Sequence, residues 1–200
     1  MSTTLNFSFA NRNGSVTDIH QIIERLHDKA LQLPFKTVGE IVDLSGDEVT
    51  ATHGPDDPIK TLLRKAQRDG KRLVRVIGFV AKLGDGEGAA AIALAMYSEG
   101  QTEWSWKSIC QTWVSGTKTC GGIPNFLRCH LAVVALLDCA SGLGIEVEVS
   151  GAADFGRKRD VTSLLAVLRQ QISDSESIMD EMAGTASFPK IISLPASLKM

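Results

Sequence analysis

Apolar residues recur along this chain with two different periods, and the change from one to the other marks its elements. At the start Leu5, Phe7 and Phe9 alternate with polar neighbours, the spacing of an extended segment. Between residues 15 and 33 the period lengthens. Ile19, Ile22, Ile23, Leu26 and Ala30 fall on one side of a helix, Ser15 or Thr17 can cap its start, and Pro34 stops it. Residues 38–44 then read as a strand, Gly46 and Asp47 as a turn, and 49–52 as a second short extended piece. The next helix, 58–69, is the most clearly bounded. Asp57 caps it, Pro58 suits its first turn because a missing N–H costs nothing there, Leu62, Leu63 and Ala66 supply the apolar stripe, and Gly70 closes it.

Residues 73–83 and 89–97 are β-like runs joined by the glycine-rich loop 84–88, so they predict a hairpin. Its second strand divides its faces by size, Ile92, Leu94 and Met96 on one side and Ala91, Ala93 and Ala95 on the other, which predicts cover on both faces. Trp106, Ile109, Cys110 and Trp113 share one side of a helix, and a short helical segment entered through Ser105 is expected there. Pro124 opens a long apolar helix ending near Gly142 and Gly144, and Ile145, Val147 and Val149 alternate with Glu146 and Glu148 as a strand with one wet face. A last helix is expected over 160–183, where Val161, Leu165, Leu168, Ile172, Met179 and Met182 form a seam.

These elements predict a single α+β domain over residues 1–184 with an irregular tail at 185–200. Its core is a mixed, largely antiparallel sheet with strands near 37–44, 73–83, 89–97 and 145–149, centred on the 73–83/89–97 hairpin and covered by about five helices. Composition agrees: 200 residues, 44% of them hydrophobic and 22% charged, with a net charge of -2, are the proportions of a chain that builds its own core. The longest apolar run, residues 89–97, falls far below the roughly 20 residues a membrane-spanning helix needs. The N-terminus has no positive residue ahead of an apolar stretch, so a cytoplasmic location is expected. The four cysteines Cys110, Cys120, Cys129 and Cys139 show no zinc-site spacing, and free thiols are expected.

Candidate chemistry concentrates in two places. In residues 121–130 a thiol and an imidazole, Cys129 and His130, follow a double glycine at a helix start, where a helix N-terminus favours a thiolate. Consecutive helical side chains diverge by about 100°, so these two do not pair with each other. On the helix wheel His130 points into the most apolar sector, either as a core histidine or at a pocket wall. Cys120, in the preceding loop, is the better candidate for an accessible thiol. Asn125 and Arg128 on the same segment, and Trp104, are candidate binding residues. The second place is a charge reversal: the acids Glu40, Asp43, Asp47, Glu48, Asp56 and Asp57 precede a basic block that includes Arg64, Arg68, Arg72 and Arg75. Such a block can meet an anionic partner, but we read it as a solvated face rather than a nucleic-acid footprint.

Two further groupings read as structural. His20, Glu24 and His27 lie along one edge of the first helix and predict a solvated edge with an internal ion pair rather than a metal site. The loop 84–88 lacks the lysine and hydroxyl of a phosphate cradle and carries acids, so it predicts a plain hairpin turn. Neither a cofactor nor a metal is expected.

The segments WSWKSIC from Trp104 and NFLRCHL from Asn125 resemble a group of uncharacterised bacterial proteins that share a W-x-W-x-S-x-C stretch and an N-F-L-R-C-H-L helix. The resemblance is strong over the middle quarter of the chain. It implies no activity, so it assigns no functional residue. The residues themselves favour a non-catalytic binding or accessory module, with a small molecule or a protein as partner, or a second copy meeting the seam at 161–182, and no membrane. The alternative is a thiol-dependent enzyme acting on a small substrate through Cys120 or Cys129, with His130 as acid or base.

Overall fold

The hairpin at the middle of the chain organises everything else. Arg75–Lys82 (β4) and Ala89–Met96 (β5) pair antiparallel in unbroken register from Arg75↔Met96 to Lys82↔Ala89. The computed structural model describes residues 2–51, 54, 58–66, 72–84, 88–97, 102–113, 122–151, 166 and 170. In chain order they form β1 (Ser2–Asn11), α1 (Val16–Gln32), β2 (Thr37–Val38), β3 (Val42–Ser45), a 3-10 helix (Gly46–Thr50), α2 (Pro58–Ala66), β4, β5, β6 (Trp104–Trp113), α3 (Gly122–Gly142) and β7 (Glu146–Gly151). The strands make one seven-stranded sheet in the order β2-β4-β5-β6-β1-β7, and β3 shares the outer edge of β4 with β2.

Register settles which side chains share a face. Phe7 and Phe9 lie opposite Ser108 and Trp106, and Ile77 and Phe79 lie opposite Leu94 and Ile92. On this face α1 buries Ile19, Ile23, Leu26 and Ala30, and α3 buries Phe126, Val133, Leu136 and Leu137. Each of these larger side chains, Ala30 apart, contributes on the order of 1.5–3 kcal/mol relative to exposure. His27 of α1 meets Phe79 edge-on, with ring centroids 5.0 Å apart, which fixes that helix over β4. α1 starts where it does because Ser15 and Asp18 form a reciprocal capping box. The opposite face of β4 and β5, with Val76, Val80, Ala91, Ala93 and Ala95, is also buried, and α2 packs over β4, β5 and β6. Gly78 belongs to this face for a steric reason: a Cβ there would lie 2.3 Å from the Ala93 Cβ and 2.4 Å from the Ile92 carbonyl oxygen.

β5 and β6 are joined by an unusual mixture of groups. Their register is carried by Ala95↔Ser105, and at the far end Gly88 N–H donates to the Gln111 carbonyl at 3.1 Å. Between these points side chains reach the strand carbonyls. The Trp106 indole N–H donates to Ala91 O at 2.9 Å, and the Lys65 ammonium of α2 donates to Ile109 O at 3.1 Å and to the buried Ser108 Oγ at 2.9 Å.

Four expectations change. All described strand pairings are antiparallel rather than mixed. The segment 104–113 is a strand, not a helix, because Trp104, Trp106, Ser108 and Cys110 are buried while Lys107, Ile109 and Gln111 are exposed, a period of two. Residues 46–50 are a 3-10 helix rather than a turn and strand, and Gly46 enters it at φ 57. The expectation of about five helices is not borne out: three α-helices lie among the described residues. One of the missing helices is β6. The segments 160–183 and 185–200 lie outside the described residues, apart from Ala166 and Gln170, and so does most of the loop 84–88. No helix among the described residues is long and apolar enough to cross a membrane.

Candidate functional site

The acidic and basic blocks meet across the β3–β4 edge. Asp43 lies opposite Ile77 in the ladder, so Arg75, two residues before it on β4, is its diagonal neighbour on the same face. Arg75 grips the carboxylate with both arms of its fork, Nε to Oδ1 at 2.7 Å and Nη2 to Oδ2 at 2.5 Å. From α1, His20 Nε2 comes within 2.7 Å of the same Oδ2. Burial pushes the Asp43 carboxyl up, but the hydrogen bonds from Arg75 and His20 together outweigh it and hold the group below its usual range. Arg75 is in turn held further into its charged form, first by its hydrogen bonds to Asp43. His27 turns away from this cluster and bonds Gly39 O at 2.9 Å. The expected ion pair along the helix edge is therefore replaced by contacts that tie α1 to β3 and to the chain before it.

Beside this cluster opens a cleft of about 470 Å³. Its walls come from the end of β3 and the 3-10 helix (Ser45, Gly46, Asp47, Thr50) and from the approach to β4 (Arg72, Arg75). Its apolar lining is Val49, Leu73, Val74 and Met96. Val49 and Leu73 are buried, whereas Arg72 is exposed and, among the described residues, no acid pairs with it. The turn is held by Ser45 N–H donating to the Glu48 carboxylate at 3.2 Å and by Thr50 Oγ1 donating to Asp47 O at 2.9 Å. A volume within the roughly 300–1,000 Å³ of ordinary ligand sites, apolar surface and a few charged groups make this a place that can hold a small molecule.

The other candidate residues are placed differently. Arg128, Asn125 and Cys129 come together at the start of α3, where the Arg128 guanidinium donates to Pro34 O, to Leu83 O at 3.3 Å and to Asn125 Oδ1 at 2.7 Å. Cys129 is fully buried and its thiol donates to Leu83 O at 3.5 Å. This arrangement ties α3 to the end of β4 and to the end of α1. His130 is buried and stacks on Phe126, with centroids 5.3 Å apart and planes 20° apart, so it belongs to the core packing of α3. Trp104 is buried and donates its indole N–H to Gly14 O at 2.9 Å. Arg64 is exposed on α2, away from the cleft lining. Cys120 and Arg68 lie outside the described residues.

Of the candidate binding residues among the described ones, Arg72 is the one that lines the cleft. Asp43, Asp47, Arg75, Val49, Leu73 and Met96 were not singled out by sequence pattern as a group. The signal present was the acid block followed by a basic block, from which Asp43 and Arg75 supply the pair across β3 and β4. Comparison with protein-family models, with curated proteins and with solved structures returns no match for this chain, so the site is read from its own geometry.

Proposed function

We propose that this chain is a non-catalytic binding module whose ligand is a small organic molecule held in the cleft between the 3-10 helix and the approach to β4. The observation that carries the reading is the cleft itself, whose lining combines the exposed Arg72, which no acid among the described residues pairs, with apolar Val49, Leu73 and Met96. Among the described residues the lining offers the Ser45 and Thr50 hydroxyls, the Asp47 carboxylate and two guanidiniums, with no histidine, lysine or cysteine, a set that favours binding over nucleophilic catalysis. The thiol-dependent alternative draws no support from Cys129, whose sulfur is buried and engaged with a backbone carbonyl.

The test is titration with 8-anilinonaphthalene-1-sulfonate, a fluorescent probe with an apolar body. The folded protein should bind it saturably at one site. Arg72→Gln should weaken binding several-fold without altering the far-ultraviolet circular dichroism or the urea midpoint, and Arg64→Gln should leave binding unchanged. Absence of saturable binding, or equal affinity in the Arg72→Gln variant, would overturn the reading.

A further inference from the structure

Two arginines line the cleft, but they are not equally available to a ligand. Arg75 turns one edge of its guanidinium to Asp43, through Nε at 2.7 Å and Nη2 at 2.5 Å, so that carboxylate, itself further held by His20, offsets its charge. Arg72 has no such partner among the described residues. Asp47 lines the same cleft and adds a negative charge to it. Among the described residues the cleft therefore presents one positive charge that no carboxylate offsets, one negative charge that opposes a second anionic group, and an apolar lining of Val49, Leu73 and Met96. A bidentate guanidinium matches a carboxylate plane, and apolar lining needs an apolar body to exclude water from it.

From this we infer that the ligand is an amphipathic monocarboxylate, with its single carboxylate on Arg72 and its hydrocarbon body over Val49, Leu73 and Met96, and that Asp43 sets this specificity by offsetting the charge of the second arginine, Arg75. The inference rests on the binding reading above and deepens it. Dicarboxylates and phosphate esters, which bring two negative charges, are disfavoured by design of the cleft. An uncharged analogue of the same shape loses the anchor.

Calorimetric titration of the full chain with three related probes tests this. They are 3-phenylpropionate, its uncharged amide, and phenylsuccinate, which is 3-phenylpropionate with one more carboxylate. The monocarboxylate should bind at least about fivefold more tightly than either of the others, the size expected from one charge contact about 4 Å away in a water-like medium. In Arg72→Gln the advantage over the amide should vanish. In Asp43→Asn, which releases Arg75, phenylsuccinate should gain on 3-phenylpropionate. If phenylsuccinate binds the wild type as tightly as the monocarboxylate, or the amide does, the inference fails while the binding reading stands. If the naphthalene probe binds and none of the three does, the inference fails in the same way. If neither the naphthalene probe nor any of the three binds, both fail.

Discussion

Replacing Asp43 by Asn removes one negative charge from a carboxylate that holds three elements together: β3, which carries it, β4 through Arg75, and α1 through His20. A charge-assisted hydrogen bond contributes about 1.5–3 kcal/mol where it is shielded. Here the Asp43 and Arg75 side chains are 24% and 28% exposed, so water replaces part of what is lost, and Asn still accepts one hydrogen bond. The expected loss is about 1.5 kcal/mol in all, or a Tm lower by about 3–6 °C for a domain of this size. The pH dependence gives a sharper check. The folded-state pKa of Asp43 lies below its unfolded value of about 3.9, so its stabilisation is fully present above that unfolded value and is lost as pH falls through the folded one. Urea unfolding followed by tryptophan fluorescence, with Trp104 and Trp106 as buried reporters, should show the gap between wild type and Asp43→Asn at pH 7 and its closure below about pH 4. Equal midpoints at pH 7, or a gap undiminished at pH 2.5, would refute the argument that this carboxylate ties the edge together.

Gly78→Ala should destabilise the fold by about 1–3 kcal/mol, because the new methyl meets Ala93 and the Ile92 carbonyl rather than a movable side-chain tip; an unchanged urea midpoint would contradict the close approach of β4 and β5. Trp106→Phe keeps most of the buried ring but strips Ala91 O of its indole donor, and a loss of about 1–3 kcal/mol by the same measurement is expected. Arg128→Ala should lower stability by about 1–2 kcal/mol and leave binding of the naphthalene probe unaltered, since the guanidinium serves Pro34 O and Leu83 O rather than the cleft. Under native conditions iodoacetamide followed by peptide mass spectrometry should modify half-buried Cys139 before buried Cys110 and Cys129; earlier labelling of Cys129 would return it to consideration as a nucleophile.

Where one residue and its near neighbours sufficed, the sequence alone was enough. The start of α1 falls at Ser15, one of the two caps the pattern offers, Pro58 opens α2, and the runs on either side of residues 84–88 form the hairpin, because capping, turn and strand preferences act over a few positions. The segment 104–113 carries two periods at once. Trp106, Cys110 and Trp113 fit a helical spacing, while the alternation of Trp104, Trp106, Ser108 and Cys110 includes a serine, whose burial depends on Lys65 arriving from α2.

Long-range pairing decided the rest. Asp43 and Arg75 stand 32 residues apart, and the register Asp43↔Ile77 makes them diagonal neighbours; a slip of one position would put them on opposite faces. That same pairing sorts the two arginines of the cleft, committing Arg75 and leaving Arg72 available, although the two look alike in the chain. Cys129 and His130 show the converse. Their chemistry is visible in the sequence, but the packing of α3 on the end of β4 turns the thiol to Leu83 and buries the imidazole, which stacks on Phe126 one turn earlier in the same helix. Residue type determines what a side chain is able to do, and tertiary contacts decide whether its polar atoms are already engaged.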